Sequence, residues 1–460
     1  MKKMFKYIFG TGAAMLLGSA SLMAQTETAP VTPTIDSGDT AWMIVASALV
    51  LLMTIPGLAL FYGGLVRRKN VLNVFMQCFI AVAIISIEWV VFGYSNAFGT
   101  NSIEALKPFI GGFDWAFLSG IGPNDLSPYF ISHSQATADG GTIGTIPHYV
   151  FILFQGMFAV ITPALILGAF AERIKFRGYV IFTLLWAILV YNPIAHWVWS
   201  GDGWLFKLGA LDFAGGTVVH INAGVAALVM ALMIGKRRDY YGSAIPPHNI
   251  VFVAMGAAML WFGWFGFNAG SGLAADGLAG SAFMTTHIAA AAAALMWALL
   301  EWFLHGKPTT VGVSTGAVAG LVAITPAAGF VTVSGALIIG LSVSVVCYIM
   351  VGKLKPKFGY DDSLDAFGVH GIGGIWGALM TGLFASPSVQ SAYSGLFYGN
   401  SAQFVNQLIA IGATLVYSGV VTAVLFFIVD KIFGIRATKQ QEAIGLDETQ
   451  HNEVAYTTAD

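Results

Sequence analysis

The sequence predicts an all-α, polytopic membrane protein with eleven transmembrane helices. Its 460 residues are 57% hydrophobic and only 10% charged, whereas a soluble protein carries about a quarter charged residues. The 55 glycines indicate the same class, because small residues let transmembrane helices approach one another closely. Since the basic residues are confined to short loops, the composition argues against a nucleic-acid-binding surface.

Eleven apolar segments follow the N-terminal region, and each reaches about the 20 residues that a spanning helix needs, the shortest just barely. We therefore expect a transmembrane domain at residues 39–435 and a polar tail at 436–460, mobile or dependent on a partner. The predicted segments are 41–66, 71–98, 146–170, 178–199, 213–235, 250–272, 281–304, 309–328, 331–352, 368–386 and 403–430.

The first 24 residues are predicted to form a secretory signal peptide. Three lysines precede an apolar stretch at residues 7–17, and small residues follow it, which is the order typical of such signals. Cleavage is expected after Ala24, with cleavage after Ala20 as the alternative. An additional uncleaved helix is disfavoured because the apolar stretch is short for a bilayer.

The basic residues predict the orientation. Sixteen of them lie in one set of alternate loops or in the tail, whereas the opposite loops carry only Lys107 and Lys207. Cytoplasmic loops are enriched in Lys and Arg. We therefore expect the N-terminus outside, the C-terminus in the cytoplasm and, for a bacterial protein, a location in the inner membrane.

Two short matches predict an inverted repeat of five plus five helices, followed by a final helix. Ile-Thr-Pro-Ala occurs at residues 161–164 and again at 324–327, and an Asp-to-His segment occurs at 212–220 and at 365–371. An odd number of helices per unit reverses the direction of the second unit. Such folds place their sites at the midplane, where the halves meet, although short matches in apolar sequence also arise by chance.

His220 and His370 are the strongest candidates for chemistry, because an ionisable residue at membrane depth is costly and is usually functional. Entering from opposite sides, the two imidazoles are expected to meet and to hydrogen-bond through one nitrogen each. The alternative is two separate histidines, each satisfied by neighbouring groups. Asp212 is expected to cap its helix rather than to contact a solute, and Asp361, Asp362 and Asp365 are expected to do similar work on the cytoplasmic side.

Three aromatic clusters fall where the external helix ends converge. They stand at residues 154–158, 196–199 and 264–271. A small cation can rest over aromatic faces, and Ser271 offers a hydroxyl acceptor. On spacing alone, the interfacial aromatic belt of membrane proteins explains these clusters better.

Glu88 and the two cysteines stand apart from these motifs. Glu88 falls in the middle of the second segment, where it is expected to be either protonated or paired at a subunit contact. Cys78 and Cys347 lie within apolar segments and are interpreted as small buried hydrophobes rather than as a disulfide or a metal site.

Three other classes of protein fit the sequence less well. A bis-histidine haem protein needs histidines in pairs facing one plane, and each half here offers one central histidine. A sensor is disfavoured because no soluble signalling domain is visible, although a partner could supply one. An enzyme has little support, since there is no nucleophile elbow, metal-binding cluster or phosphate loop.

Several long motifs resemble those of the ammonium transporter (Amt) family, in the family's order. The resemblance extends from about Asp39 to the C-terminal tail, and it is closer to the bacterial and plant ammonium branch than to the Rh branch. The long external loop and Glu88 depart from the family pattern. The matching motifs are residues 61–70, 168–173, 212–222, 263–271 and 365–371.

The resemblance implies eleven helices per subunit, an inverted repeat and a pore in each protomer of a homotrimer. It also implies ammonium and ammonia as the substrate, contact with membrane lipid, no cofactor or metal, and regulation by a PII-type protein at the cytoplasmic face. The residues that match the family's sites are Trp199, Phe158, Ser271 and Asp212 for ammonium recruitment, Phe158 and Phe267 for a phenyl gate, and His220 and His370 for the twin histidines of the pore.

Overall fold

The computed structural model describes residues 32–137, 139–240 and 245–456. This part of the chain is mostly helical, and its strands are two short antiparallel pieces, β1 at Gln135–Ala136 and β2 at Thr142–Ile143. The predicted all-α membrane fold is therefore confirmed. The predicted signal peptide lies outside the described residues.

Ten helices in the described ranges are long and apolar enough to cross a membrane. Their bounds agree closely with the predicted segments, because each segment is a nearly continuous apolar run. In chain order, α1 to α7 are Ser37–Leu65, Arg68–Phe98, His148–Phe170, Phe176–Leu208, Gly216–Ile234, Ile250–Gly272 and Gly277–His305. The shorter α8 is Thr310–Ile324, and α9 to α11 are Val333–Phe358, Phe367–Phe384 and Ser401–Phe433.

Helix α8 is shorter than the segment predicted at 309–328. Its 15 residues extend about 22 Å, less than the ~30 Å of a hydrocarbon core. Residues 325–330 continue as buried turns, and Pro326 lacks the N–H that a continuing helix would use. The count of eleven full crossings thus stays a prediction, whereas ten helices meet the length criterion.

The interior of the protein is built around α3 and α5. In their most apolar stretches, 83% of the α3 residues and 78% of the α5 residues are buried inside the protein, against 33% for α11. Helix α3 packs against α5, and α5 packs against α10 and α11. The central helices therefore carry the candidate site, and α11 lies at the periphery.

The two Ile-Thr-Pro-Ala segments behave alike, as an internal repeat predicts. Thr162 donates its hydroxyl to the carbonyl of Phe158, and Thr325 donates to the carbonyl of Leu321, each bond reaching back four residues. The histidine-bearing helices α5 and α10 also both begin with a wide, π-helical turn. These shared details support the predicted relationship between the two halves.

The described part of the C-terminal tail is docked on its own chain, whereas we expected the tail to be mobile or dependent on a partner. It forms two short helices, α12 at Lys439–Ile444 and α13 at Leu446–His451. The Asp447 carboxylate accepts the backbone N–H of Asn73 at 2.8 Å, and the Asn70 side chain accepts the N–H of Leu446 at 2.9 Å. The start of α2 and the tail thus satisfy each other's polar groups, which explains why this polar segment is ordered.

Candidate functional site

The structure brings His220 and His370 together at the centre of the protein. Their Nδ1 atoms lie 3.3 Å apart, and their rings are stacked with an angle of 19° between the planes. Both side chains are buried. At this distance one Nδ1 donates a hydrogen to the other, so the pair shares a proton between neutral rings. The Nε2 of His220 has no hydrogen-bond partner among the described residues.

Glycines let the two histidine-bearing helices approach each other. A Cβ added to Gly224 of α5 would lie 2.2 Å from the Cα of Gly371 in α10. At the start of α5, Gly215 has a φ of 107°, in the left-handed region that glycine adopts without steric cost. The backbone conformation at Gly215 thus favours glycine, and the close approach of α5 and α10 requires glycine at Gly224 and Gly371.

Asp212 caps the helix that carries His220. Its carboxylate accepts hydrogen bonds from the backbone N–H groups of Gly215, Gly216, Thr217 and Val218, at 2.6 to 3.0 Å. Four otherwise unsatisfied helix-start donors are therefore satisfied by one carboxylate. This agrees with the capping role that we favoured, and it leaves the two oxygens occupied.

The counterpart of Asp212 in the second half is Asp362, one of the three aspartates that were expected to cap there, whereas Asp365 does not cap the helix. Asp362 accepts the N–H groups of Ala366 and Phe367 at 3.1 and 2.8 Å, whereas Asp365 accepts a hydrogen bond from Lys355 at 2.6 Å. Counting back eight residues from each histidine identifies both capping residues, so the signal was present in the spacing.

The predicted recruitment residues line one outer cavity of about 440 Å³. Trp199 and Phe158 meet edge to face with their ring centroids 5.7 Å apart. The indole N–H of Trp199 donates to the main-chain oxygen of Asp212 at 3.0 Å, and the hydroxyl of Ser271 donates to the carbonyl of Phe267 at 2.8 Å. The lone pairs of the Ser271 oxygen remain available as acceptors beside the aromatic faces.

Phe158 and Phe267 separate this cavity from a much smaller one. Their rings stack with centroids 4.1 Å apart and an angle of 25°. Phe158 lines the outer cavity, while Phe267 lines an inner cavity of about 10 Å³ that also contacts His220 and His370. The stacked pair is therefore the constriction between an aromatic vestibule and an apolar chamber at the histidines.

Trp264 was not singled out from the sequence, yet it holds the His220 ring. It stacks on His220 with the ring centroids 5.4 Å apart and an angle of 23°. Its indole N–H donates to the hydroxyl of Thr325 at 2.9 Å. Trp264 and Thr325 both stand in motifs named above. Nothing in their spacing indicates the hydrogen bond between them, because it joins α6 to the end of α8.

The long loop at residues 99–147, which we expected to be external, forms one wall of the outer cavity, and a histidine anchors it. Tyr129, Phe130 and Ile131 line the cavity, and the nearby His133 contacts Asp39 of α1 through its Nδ1 at 2.9 Å. The hydrogen bond to Asp39 raises the pKa of His133 above its ordinary value. A protonated His133 therefore ties this wall to the first helix.

A buried network of ion pairs joins the loops at the other end of the helices. Arg237 contacts Asp361 at 2.8 Å and Glu172 at 3.4 Å, and Arg67 contacts Glu172 at 2.9 Å. Although burial opposes ionisation, Arg237 and Arg67 hold the pKa of Glu172 below its ordinary value. Breaking such a pair leaves an uncompensated buried charge, so the two arginines stabilise the folded protein.

Metal-ligating and thiol groups are sparse. Across residues 32–137, 139–240 and 245–456, no cluster of three or more His, Cys, Asp or Glu side chains has the geometry to hold a metal ion. Cys78 and Cys347 are both buried with free thiols, as expected for small hydrophobes.

Comparison with known proteins agrees with these motifs. The family model described as Ammonium Transporter Family matches residues 41–456. An ammonium transporter of Bacillus subtilis is 53% identical and aligns with 91% of this chain and 98% of its own, and one of Aquifex aeolicus is 48% identical over 92% and 94%.

Solved structures show the same fold. Mep2 of Saccharomyces cerevisiae is 36% identical, with a TM-score of 0.79 over 88% of this chain and 89% of its own. A structure titled Sensor Amt Protein is 29% identical, with a TM-score of 0.80 over 90% and 98%. The chain belongs to the ammonium transporter family.

Proposed function

We propose that this protein recruits ammonium in the outer aromatic cavity, removes a proton near the phenyl pair and conducts ammonia past the two histidines into the cytoplasm. The observation that carries the proposal is the order of environments from the outer cavity to the histidines. An aromatic vestibule ends at stacked phenyl rings, and a narrow chamber with paired imidazoles lies directly behind them.

Recruitment uses the faces of Trp199 and Phe158 together with the Ser271 oxygen. Cation–π contact contributes about 2 kcal/mol or more when the site is desolvated, and a hydroxyl oxygen accepts an N–H from ammonium. Asp212 acts indirectly. Its carboxylate oxygens are occupied by backbone N–H groups, and its main-chain oxygen orients the Trp199 ring.

Magnitudes favour deprotonation before entry. Moving a bare monovalent ion into low dielectric costs several kcal/mol even after relaxation, and cation–π contact returns only about 2. The inner cavity of about 10 Å³ has room for at most one small molecule and no hydration shell. Neutral ammonia therefore has the lower barrier, and potassium is rejected because it has no proton to lose.

The histidines then receive ammonia and relay the proton separately. When the Nδ1 of His220 carries the hydrogen shared between the two rings, the unpartnered Nε2 of His220 is free to accept an N–H from the solute. A proton that travels along the pair and water makes transport electrogenic.

Membership of the family supports a proposal for the assembly and its setting. The protein is proposed to be a homotrimer in the lipid of the bacterial inner membrane, with the N-terminus outside and the C-terminus in the cytoplasm. A PII-type protein is proposed to regulate it from the cytoplasmic face. The basic loops support this orientation.

Currents on proteoliposomes test the proposal. Wild-type protein should carry a saturable current with ammonium and none with potassium. Replacing both His220 and His370 with leucine should abolish the ammonium current, whereas His287→Leu, at an exposed helical position, should preserve it. An undiminished, ammonium-selective current in the double variant would refute the proton relay, and equal currents with both cations would refute the selectivity.

A further inference from the structure

Glu88 is a buried carboxyl group within a membrane-spanning helix, and the transport route above does not use it. It lies in α2 with 4% of its surface exposed. Its Oε1 accepts a hydrogen bond from the Nδ2 of Asn192 in α4 at 2.8 Å. Glu88 takes part in none of the ion pairs among the described residues. The expected pairing at a subunit contact is therefore unnecessary, because a partner lies within the chain.

Two atoms of this pair lack partners. The Oε2 of Glu88 and the Oδ1 of Asn192 are both buried, and neither has a hydrogen-bond partner in the described part of the chain. Both atoms are acceptors when Glu88 is ionised, and an ionised carboxylate at this depth with a single hydrogen bond is strongly unfavourable. One hydrogen placed on Oε2 turns that atom into a donor and Oδ1 into its acceptor.

We propose that Glu88 binds a proton permanently, as a neutral carboxylic acid, and forms a ring of two hydrogen bonds with the amide of Asn192 that fastens α2 to α4. In this ring the amide donates Nδ2–H to Oε1, and the acid donates its O–H to Oδ1. A single proton satisfies both unpartnered atoms. The pair is then uncharged and saturated, which suits the interior of a membrane protein.

The backbone around the pair makes room for the carboxyl group. A Cβ added to Gly93 would lie 2.6 Å from each carboxyl oxygen of Glu88, so only glycine fits there without displacement. Wide, π-helical turns adjoin both partners, at Trp89–Gly93 after Glu88 and at Ala187–Tyr191 before Asn192. Such turns frequently mark functional positions in helices.

The ring reaches the recruitment site through α4. Asn192 and Trp199 belong to the same continuous helical segment, Asn192–Trp199, so they are two turns apart on one rigid piece. Resting on the function proposed above, Glu88 and Asn192 are positioning residues that set where Trp199 stands in the outer cavity. Losing the ring should weaken ammonium recruitment rather than block the chamber.

Infrared difference spectroscopy of the purified full-length protein in lipid tests the protonation directly. The wild type should show the carbonyl stretch of a protonated, hydrogen-bonded carboxylic acid at neutral and mildly alkaline pH, and Glu88→Gln should remove that band. A spectrum at neutral pH without a Glu88-dependent band would overturn the proposal. The infrared band is measured without any transport, so its absence would overturn the proposed protonation of Glu88 and leave the proposed transport function untouched.

Transport kinetics test the positioning role. Glu88→Gln keeps a two-bond amide ring and should leave the half-saturation concentration for ammonium unchanged. Glu88→Leu leaves Asn192 unpartnered and should raise that concentration severalfold, and Asn192→Leu should do the same. If Glu88→Gln were as impaired as Glu88→Leu, or if both leucine variants behaved like the wild type, the ring would have no such role.

Discussion

Asp212 and Asp362 stand in the same relationship to the histidine that follows each of them. Each precedes its histidine by eight residues, and each accepts backbone N–H groups from the first turn of the histidine's helix. A carboxylate at this place also faces the positive end of the helix dipole. The two caps thus fix the two imidazoles from the two halves of the repeat, although neither carboxylate touches them.

We expect the cap on α5 to matter more for stability than the cap on α10. Asp212 satisfies four backbone donors, whereas Asp362 satisfies two. Removing a cap costs about 0.5–2 kcal/mol and each buried unsatisfied donor adds more. Asp212→Ala should therefore lower the melting temperature in detergent more than Asp362→Ala. The exposed Asp114 is a matched control, and an equal effect of Asp114→Ala would contradict the capping argument.

Trp199→Leu should weaken recruitment while leaving the chamber intact. Loss of about 2 kcal/mol of cation–π contact corresponds to roughly a tenfold to thirtyfold rise in the half-saturation concentration. The concentration dependence of the ammonium current measures it. Trp302→Leu, at a tryptophan that is 60% exposed, should change nothing. An unaltered curve for Trp199→Leu would count against the recruitment assignment.

Thr325→Val should disturb His220 through Trp264. Valine has nearly the shape of threonine but cannot accept the indole N–H, and a buried unsatisfied donor costs about 1–3 kcal/mol. The freed tryptophan no longer holds the imidazole ring. Thr162→Val removes the equivalent hydrogen bond, from the Thr162 hydroxyl to a main-chain carbonyl, in the other half. It leaves no tryptophan N–H without an acceptor. The ammonium flux should fall in Thr325→Val and not in Thr162→Val. Equal fluxes in the two variants would argue against the role of Trp264.

The external wall of the outer cavity should loosen as the pH rises. Because the pKa of His133 is raised by its hydrogen bond to Asp39, this stabilisation is complete below about pH 6.5, the ordinary pKa of histidine, and is lost as the pH rises through the raised value. Asp39, Asp276 and Asp36 are the charged groups that act on His133.

Hydrogen exchange of residues 126–137 measures this loosening. After correction for the intrinsic, base-catalysed rate, exchange in the wild type should accelerate between neutral and alkaline pH, whereas the protection of these amides in His133→Gln should not change with pH over the same interval. The buried ends of the helices provide the internal reference. If the wild type and the glutamine variant respond identically, His133 does not anchor the loop.

The membrane-spanning segments could be predicted closely because each is a long apolar run, and a hydrocarbon interior imposes that length directly. The histidine pair could be predicted from its repeated context. The end of α8 could not, because the chain there leaves the helix at Pro326 but remains buried in turns. An apolar composition thus predicts that residues are buried, but it does not predict whether the buried backbone is helical.

Contacts between distant residues that stand in no repeated motif were beyond prediction. The tail was expected to be mobile or dependent on a partner because it is polar, yet its polar groups are satisfied by Asn70 and Asn73, far away in the chain. Likewise, the charges of Arg67 and Arg237 indicated a cytoplasmic face, but in the structure the two arginines form ion pairs with Glu172 and Asp361. The partner of Glu88 belongs to the same category.

The smallness of the inner chamber has a consequence for the cell's water balance. A single water needs roughly 10–15 Å³ of such space, and the chamber measures about 10 Å³, so an unbroken file of solvent cannot stand behind the phenyl rings. On the proposed route, whatever crosses the chamber does so as single molecules, because ammonia and water are nearly the same size. Rapid osmotic flow through a continuous column of water is therefore not expected, even in a membrane that holds many copies of this protein.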